Sequence, residues 1–377
     1  MTLFDRYLLG TFIKILVISF LSLTGLFVVI DMFGNLEEFI SYADREGSLL
    51  QVLSSYYGAR VLSFFDRISG LLALVAAIFT ITWFQRTNEL TAVMAAGIPR
   101  VRVVRPLVAA TVIVALLAAA NRELGLPQVR DRLSRNAQDW LGESARPLTP
   151  RRDNRTSILI TGKATVAARQ EITQPSFRLP NSLSQFGRQL AARQATYRPP
   201  AAEHPGGYLL EGVSQPADLP ELASAAQDGT PVILTPQDHA WLKPDACFVV
   251  SDITFEHLVA DSVWCQFSST PQLIEVLRNP SLDYGADTRV TLHRRFVQPV
   301  LDVTLLFLGM PFVLSRSNRN IFVAAAQCLL LVAAFFVVIL GCQTLGSTIL
   351  VSPALAAWLP MLVFIPIAYV GALRRWE

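Results

Sequence analysis

The stretch Gln85–Arg105, QRTNELTAVMAAGIPRVRVVR, is a short charged segment between two strongly apolar runs. Either Thr87 or Asn88 can cap the N-terminus of a helix within it. Glu89 then lies in the first turn, where a carboxylate suits the positive end of the helix dipole. Gly97, followed by a nearby proline, ends the helix. The stretch therefore predicts a small helix with two defined ends.

This predicted helix, residues 88–97, has one apolar face, because Leu90, Val93, Met94 and Gly97 recur at helical spacing. It is only about 12 Å long at 1.5 Å per residue, so it is marginal alone and needs a partner. One alternative is that the face packs on the lipid headgroups or on the chain's own membrane helices. The other is that it docks on a cytoplasmic protein.

The composition is that of a membrane protein. The chain is 52% hydrophobic and 16% charged, with a mean hydropathy of +0.42. Nearly all the long apolar runs lie in residues 12–120 and 296–373, whereas residues 121–291 are polar. We therefore expect a membrane domain in two parts, 1–120 and 292–377, separated by one large inserted domain.

Six apolar runs are long enough to cross a bilayer. The predicted membrane helices are about residues 12–30, 66–84, 101–120, 296–314, 321–345 and 354–373. Asn121 and Pro127 are expected to close the third. Most basic residues of the short loops fall on one face: Arg6, Lys14, Arg86, Arg100, Arg102, Arg105, Arg316, Arg319, Arg374 and Arg375. The positive-inside rule places that face, with both termini, in the cytoplasm and residues 121–291 outside it.

The insertion has strand-like stretches separated by clusters of turn residues. The predicted strands are residues 157–161, 165–168, 190–197, 208–213, 232–235, 247–250 and 263–267. This pattern favours an all-β sandwich or jelly roll, flanked by helices near residues 128–141 and 270–277. Cys247 and Cys265 lie in this exported domain, where a disulfide between them is one alternative and two separate thiols the other.

Several function classes are excluded by missing motifs. Gly162-Lys163 lacks the rest of a phosphate-binding loop, the four histidines have no metal-ligand spacing, and GxSxG does not occur. We expect no catalytic residue, cofactor or metal, and no nucleic-acid partner. Energy-coupled work has to come from a partner protein.

Two groups of charged residues are candidates for function. Asp302 lies about two turns into the fourth predicted span, where ionisable groups are expensive; the alternative is pairing with Arg67 or Arg295. Arg132 and Arg135 follow the third span, where guanidinium groups suit the phosphates of a lipid headgroup. Interleaved aspartates make a solvated helix face the alternative interpretation.

The chain resembles the lipopolysaccharide export permease family, LptF/LptG, over essentially its whole length. The resemblance rests on DRYLLGTFIK (5–14), NELTAVMAAGIPR (88–100), LHRRFVQPVLDVTLLFLGMPF (292–312) and AAWLP (356–360), together with Pro127 after the third span. The charged stretch is the most specific of these pieces. The fold class expected is an α-helical membrane protein with six transmembrane helices and an inserted periplasmic β-jellyroll-like domain between helices 3 and 4.

The resemblance implies a transmembrane permease subunit of an ABC transporter that extracts lipopolysaccharide from the inner membrane. Residues 88–97 would be the coupling helix that docks on a cytoplasmic ATPase dimer, with Glu89 as its characteristic acid. The residues expected to couple are Arg86, Glu89, Leu90, Val93, Met94 and Gly97. ATP hydrolysis is expected in that partner, so the chain itself is not an enzyme.

It also implies a second permease of the same family, with spans one and five of each forming a lateral gate, and a periplasmic bridge of similar jellyrolls. Arg135 resembles a position that contacts lipid phosphates, and Arg132 is its neighbour. Two departures stand out: Asp31 ends span one where some members carry a lysine, and Val93 replaces a common methionine. The alternatives are a membrane scaffold that transports nothing and a permease for another lipid.

Overall fold

The computed structural model describes residues 3–134, 137, 145–201, 204–227, 229–259, 262–279, 281, 285–314, 321–348 and 350–376. The chain divides into two compact units. The first consists of residues 1–133, 266–273 and 285–377. The second consists of residues 134–265 and 274–284.

The chain begins with three helices, α1 (Leu3–Gly34), α2 (Leu36–Glu46) and α3 (Leu49–Arg86). α1 and α3 extend well beyond the predicted apolar runs. The residues between the first two predicted spans, 31–65, are mostly helical because their aromatic side chains pack together: the Phe39 ring meets the Tyr56 ring edge to face at 4.9 Å. The Tyr57 hydroxyl donates to Asp31 at 2.9 Å, which ties α3 to the end of α1.

α4 (Glu89–Ala95) and α5 (Arg100–Ala120) follow. α5 continues through a π-helical turn, Asn121–Gly125, into α6 (Leu126–Leu133). α5 ends at Ala120 as predicted, but the chain stays helical past Asn121 and Pro127, which were expected to stop it. Pro127 is tolerated in the first turn of α6, and the Asn121 side chain donates to the Leu62 carbonyl at 2.9 Å, which holds the wide turn against α3.

The insertion is an antiparallel β domain. Its eleven strands within the described residues are β1 (Arg146–Pro147), β2 (Arg151–Arg152), β3 (Leu159–Ile160), β4 (Ala164–Val166), β5 (Glu171–Thr173), β6 (Ser176–Arg178), β7 (Gln189–Arg198), β8 (Gly207–Gln215), β9 (Ala225–Gln227), β10 (Thr230–Leu234) and β11 (Ala246–Val250). The sheet order is β1-β4-β5-β7-β8-β11-β10-β9. Off this path, β2 pairs with β3, β3 with β6, and β6 with β7. β7 pairs with β6 near its start and with β5 near its end, so the sheet forks there.

The core of the β domain lies along β7, β8 and β11. All five residues of β11 are buried, and Phe177, Tyr208 and Phe248 have no exposed surface. The Tyr208 hydroxyl donates to the Ile253 carbonyl at 3.0 Å, which satisfies its polar atom inside this apolar core. Gly207 is required by close approach, because a Cβ there would collide with the Val249 carbonyl of β11.

Three short helices lead out of the β domain: α7 (Phe255–Val259), α8 (Ser262–Phe267) and α9 (Thr270–Arg278). The strand predicted at residues 263–267 is therefore wrong, since α8 covers it. Its apolar composition fits a buried helix as well as a strand, and periodicity over five residues does not separate them. Cys247 and Cys265 are not joined by a disulfide.

The first unit is completed by α10 (Gly285–Leu314), α11 (Ile321–Ser347) and α12 (Pro353–Trp376). Six helices of the described residues are long and apolar enough to cross a membrane: α1, α3, the α5–α6 helix, α10, α11 and α12. One apolar core joins residues of α1, α3, α4, α5, α10, α11 and α12. The chain is thus a helical membrane protein with a β domain inserted between its third and fourth spans.

Candidate functional site

Backbone geometry defines both ends of α4. Asn88 adopts a left-handed conformation with φ of 57°, which asparagine tolerates, and it turns the chain between α3 and α4. The Thr87 hydroxyl donates to the Trp83 carbonyl at 3.1 Å, at the end of α3. Asn88, one of the two predicted caps, occupies the N-cap position, but its side chain makes no capping hydrogen bond, and the helix starts at Glu89 rather than at residue 88.

At the other end, Gly97 has φ of 78°. Its amide donates to the Met94 carbonyl at 3.0 Å, and the next amide, of Ile98, donates to the Val93 carbonyl at 3.3 Å. These two bonds close the last turn, so α4 ends at Ala95 and not at Gly97 as predicted. Gly97 keeps its predicted role as the helix stop.

The apolar face of α4 packs on the chain's own membrane helices. Leu90 is only 4% exposed and belongs to the same core as Phe84 of α3 and Leu107 of α5. Val93 and Met94 are half-buried against that core. Of the two alternatives left open by the sequence, the structure favours the first for this face. Leu90, Val93 and Met94 anchor α4.

The opposite face of α4 is exposed and consists of small residues. It is formed by Thr91, Ala92 and Ala95, and it continues into Ala96 and Gly97 directly after the helix. Arg86 is exposed before it, and Glu89, in the first turn, is half-buried. A partner that approaches α4 therefore meets a smooth surface with a carboxylate at one end.

A second group of polar residues lies within the membrane unit. Arg122, in the π-helical turn, contacts Asp66 of α3 with its Nη2 at 2.8 Å and its Nε at 3.0 Å. The next residue, Glu123, accepts from the Thr270 amide at 2.8 Å and lies 3.6 Å from the Arg295 guanidinium. The wide π turn lets two adjacent residues reach partners on different helices.

These contacts border a cavity of about 350 Å³ in the membrane unit. Its lining includes four arginines and one aspartate, with apolar residues of α11 on one side. The lining residues are Ser63, Asp66, Arg67, Arg122, Gln266, Phe267, Thr291, Arg294, Arg295, Gln298, Phe336, Ile339 and Leu340. A positive, partly apolar cavity of this kind suits the headgroup of an anionic amphiphile.

The four arginines differ in burial and in whether a carboxylate lies close enough to pair with them. Arg122 is paired with Asp66, and Arg295 is buried, donates to the Gln266 carbonyl at 3.0 Å and lies near Glu123. Arg67 and Arg294 are exposed, and among the described residues no carboxylate lies within ion-pair distance of either. Arg67 and Arg294 are therefore the two cations available to an incoming anion.

Asp302 is 5% exposed and lies one turn beyond Gln298 on α10. It accepts from the Gln298 amide at 2.8 Å and from the Ser69 hydroxyl at 3.5 Å. From the sequence, Arg67 or Arg295 was the expected partner of Asp302. In the structure, the hydrogen-bond donors nearest to Asp302 are neutral side chains.

Of the two lipid-binding arginines suggested by sequence, the structure describes one, and that one does not line the cavity. Arg132 is an exposed residue of α6, and Arg135 lies outside the described residues. Sequence reasoning missed Arg67 and Arg294 as a pair because they are distant in the chain. One signal was available: Asp66-Arg67, Arg122-Glu123 and Arg294-Arg295 are adjacent charged residues at the edges of three apolar runs.

Comparison with known proteins agrees with this architecture. The family model described as lipopolysaccharide export system permease LptF/LptG matches residues 6–169 and 215–374. These segments cover both parts of the membrane unit and most of the chain, and they leave out residues 170–214 in the middle of the β domain and the two ends. No curated protein matches the chain. The chain therefore belongs to the LptF/LptG family of lipopolysaccharide export system permeases, the noncatalytic membrane subunits of an ABC transporter.

Proposed function

We propose that this permease extracts lipopolysaccharide, or a closely related phosphorylated glycolipid, from the inner membrane and passes it to a periplasmic bridge for outer-membrane assembly. The observation that carries the proposal is the arginine-lined cavity in a six-helix membrane unit of this family. Phosphate groups would bind Arg67 and Arg294, while acyl chains would contact apolar residues such as Phe336 and Leu340.

The proposed docking site for a cytoplasmic ATPase is α4. An ATPase subunit would dock on its exposed face of small residues, with Glu89 supplying the charged contact. Because Leu90 is buried in the membrane core, movement of α4 would be transmitted directly to α3 and α5. This orientation places both termini in the cytoplasm and the β domain in the periplasm, in agreement with the distribution of basic loop residues.

A second permease of the family would complete the transporter. α1 is the least buried of the six spans: only 6% of its most apolar window is buried, and Ile18, Leu21 and Ile30 are each more than half exposed. α11 likewise exposes Leu329 and Leu330. In the proposed complex these faces meet lipid or the second permease. The β domain would then meet a periplasmic bridge of similar fold.

The first test is co-purification of the tagged full-length chain from a Gram-negative host in nanodiscs, with proteins and lipids identified by mass spectrometry. We expect an ABC ATPase, a second six-span permease and a phosphorylated glycolipid. The cavity is tested by Arg294→Gln, which should lower the recovered glycolipid, against exposed Arg169→Gln as a control with the same loss of charge. Wild-type protein recovered alone with ordinary phospholipid would support a scaffold instead.

The coupling face is tested by Glu89→Ala. This variant should lower the recovered ATPase while it leaves membrane insertion and bound glycolipid unchanged. Glu37→Ala is a matched control, because Glu37 is also an acid in the first turn of a helix and is exposed. Normal ATPase recovery and transport by the Glu89 variant would remove α4 from the mechanism.

A further inference from the structure

Three polar residues follow one another along one face of α10. Arg294, Gln298 and Asp302 are spaced four residues apart, so their side chains lie one above the other. The Arg294 Nε donates to the Gln298 Oε1 at 3.4 Å, and the Gln298 Nε2 donates to the Asp302 Oδ1 at 2.8 Å. Only Arg294 is exposed; Asp302 is buried. A chain of hydrogen bonds therefore runs from a buried acid to an exposed base.

The carboxylate determines the direction of this chain. An ionised carboxylate only accepts hydrogen bonds, so the Gln298 amide has to turn its NH₂ group toward Asp302. Its oxygen then faces Arg294, which only donates. If residue 302 could both donate and accept, the Gln298 amide could reverse. Its NH₂ group would then face the Arg294 guanidinium, and the two donors would repel each other.

The opposite side of Asp302 is fitted to hold it in place. The Ser69 hydroxyl donates to Oδ2 at 3.5 Å, so each carboxylate oxygen has a donor. Gly70 leaves the room that the carboxylate occupies: a Cβ at residue 70 would lie 2.5 Å from Oδ1. α3 thus supplies both a donor and the space for a charge that is expensive at this depth.

At its outer end the chain reaches the cavity. Arg294 lines it, and its Nη1 also donates to the Gln343 Oε1 of α11 at 3.3 Å. Two neutral acceptors, one on each helix, hold the guanidinium in place without neutralising it. Arginine loses considerable rotamer freedom when it binds a ligand, so a prepositioned side chain binds an anion more tightly than a mobile one.

We propose that Asp302 is a positioning residue for cargo: by fixing the orientation of the Gln298 amide, it aims Arg294 into the cavity and sets the preference of the permease for phosphorylated headgroups. This inference rests on the proposed function, since it assumes that the cavity receives the headgroup. It assigns Asp302 a role in selectivity for the lipid and none in proton transfer.

The test compares two lipids on the full-length chain in nanodiscs of zwitterionic phospholipid at low salt. The probes are bisphosphorylated lipid A and the same lipid with both phosphates removed, and the readout is the ratio of their dissociation constants. We expect wild type to prefer the phosphorylated lipid, and Arg294→Gln to lower that preference about tenfold, as for loss of a charged hydrogen bond.

The hydrogen-bonded chain from Asp302 through Gln298 to Arg294 is tested with two variants, so that the test does not depend on one of them folding. Asp302→Asn and Gln298→Met should each lower the preference severalfold with little change for the dephosphorylated lipid. In the Arg294→Gln background neither should have a further effect. Equal losses for both lipids, or undiminished losses in that background, would show that Asp302 is merely structural. If wild type itself has no preference, the cavity is not the headgroup site. Both the proposed cargo site and the positioning role of Asp302 are then wrong.

Discussion

Leu90→Ala tests whether the apolar face of α4 anchors the helix or docks a partner. α4 has seven residues and is marginal alone, so its stability depends on the contacts that Leu90, Val93 and Met94 make with the membrane core. Leu90 is the most buried of these, at 4% exposure. Truncation of a buried leucine to alanine costs about 2–5 kcal/mol, and the lower end applies here because α4 lies at the edge of the core.

A loss of about 2 kcal/mol raises the undocked population of α4 roughly thirtyfold, since about 1.4 kcal/mol corresponds to a factor of ten. The amides of Ala92, Ala96 and Gly97 close the hydrogen bonds of α4 and report its opening. We therefore expect hydrogen exchange in a peptide spanning residues 88–98 to accelerate by about that factor, with peptides from the middle of α3 unchanged. The assay is exchange mass spectrometry on the chain in nanodiscs.

Thr91→Ala is the control, because Thr91 lies on the exposed face of the same helix. In this variant the amide hydrogens of residues 88–98 should exchange at the wild-type rate. If Leu90→Ala left exchange unchanged and only reduced ATPase recovery, the leucine would be a docking residue and the anchoring interpretation would be wrong.

Three further predictions concern buried groups. Asp153→Ala should destabilise the β domain by about 3 kcal/mol in thermal unfolding, because the buried carboxylate accepts from the Ser251 hydroxyl at 2.7 Å and from three backbone amides; exposed Asp245→Ala should have little effect. Gly70→Ala should push the Asp302 carboxylate from its site, cost about 1–3 kcal/mol and lower the phosphate preference severalfold, whereas Gly58→Ala meets open space and should be neutral. Burial raises the pKa of the Cys247 thiol to about 12, so above pH 9 the unfolded chain releases a proton that the folded one retains. The stability advantage of wild type over Cys247→Ala should therefore shrink by about 1.4 kcal/mol per pH unit above 9, and a constant difference would contradict that burial.

The fold class was predictable because bilayer thickness imposes long apolar runs that any reader of the sequence can find. The ends of the helices were not. α3 begins at Leu49 although its apolar run starts near residue 66, because contacts such as Phe39 with Tyr56 keep a polar, aromatic stretch helical. Asn121 and Pro127 have strong local preferences for stopping a helix, and a π turn held against α3 overrides them.

The candidate sites were only partly predictable, for a related reason. The position of α4 followed from local signals, but which face of it is covered depends on how Phe84 and Leu107 pack around Leu90. The cavity is harder still, since Arg67 and Arg294 come from helices far apart in sequence. Proximity of that kind is set by tertiary packing, and one sequence contains no direct measure of it.

The unbroken helix from Arg100 through the π turn makes α5 a lever with α4 at its base. At 1.5 Å per residue, Arg122 lies about 30 Å from the base, so a tilt of only about 5° swings it by roughly 3 Å. That stroke is as long as the 2.8 Å contact between Arg122 and Asp66. In the proposed transport cycle, a small rotation near α4 would be enough to part this ion pair and leave the Asp66 carboxylate without its counter-ion, which would weaken the attraction of the cavity for a phosphorylated headgroup.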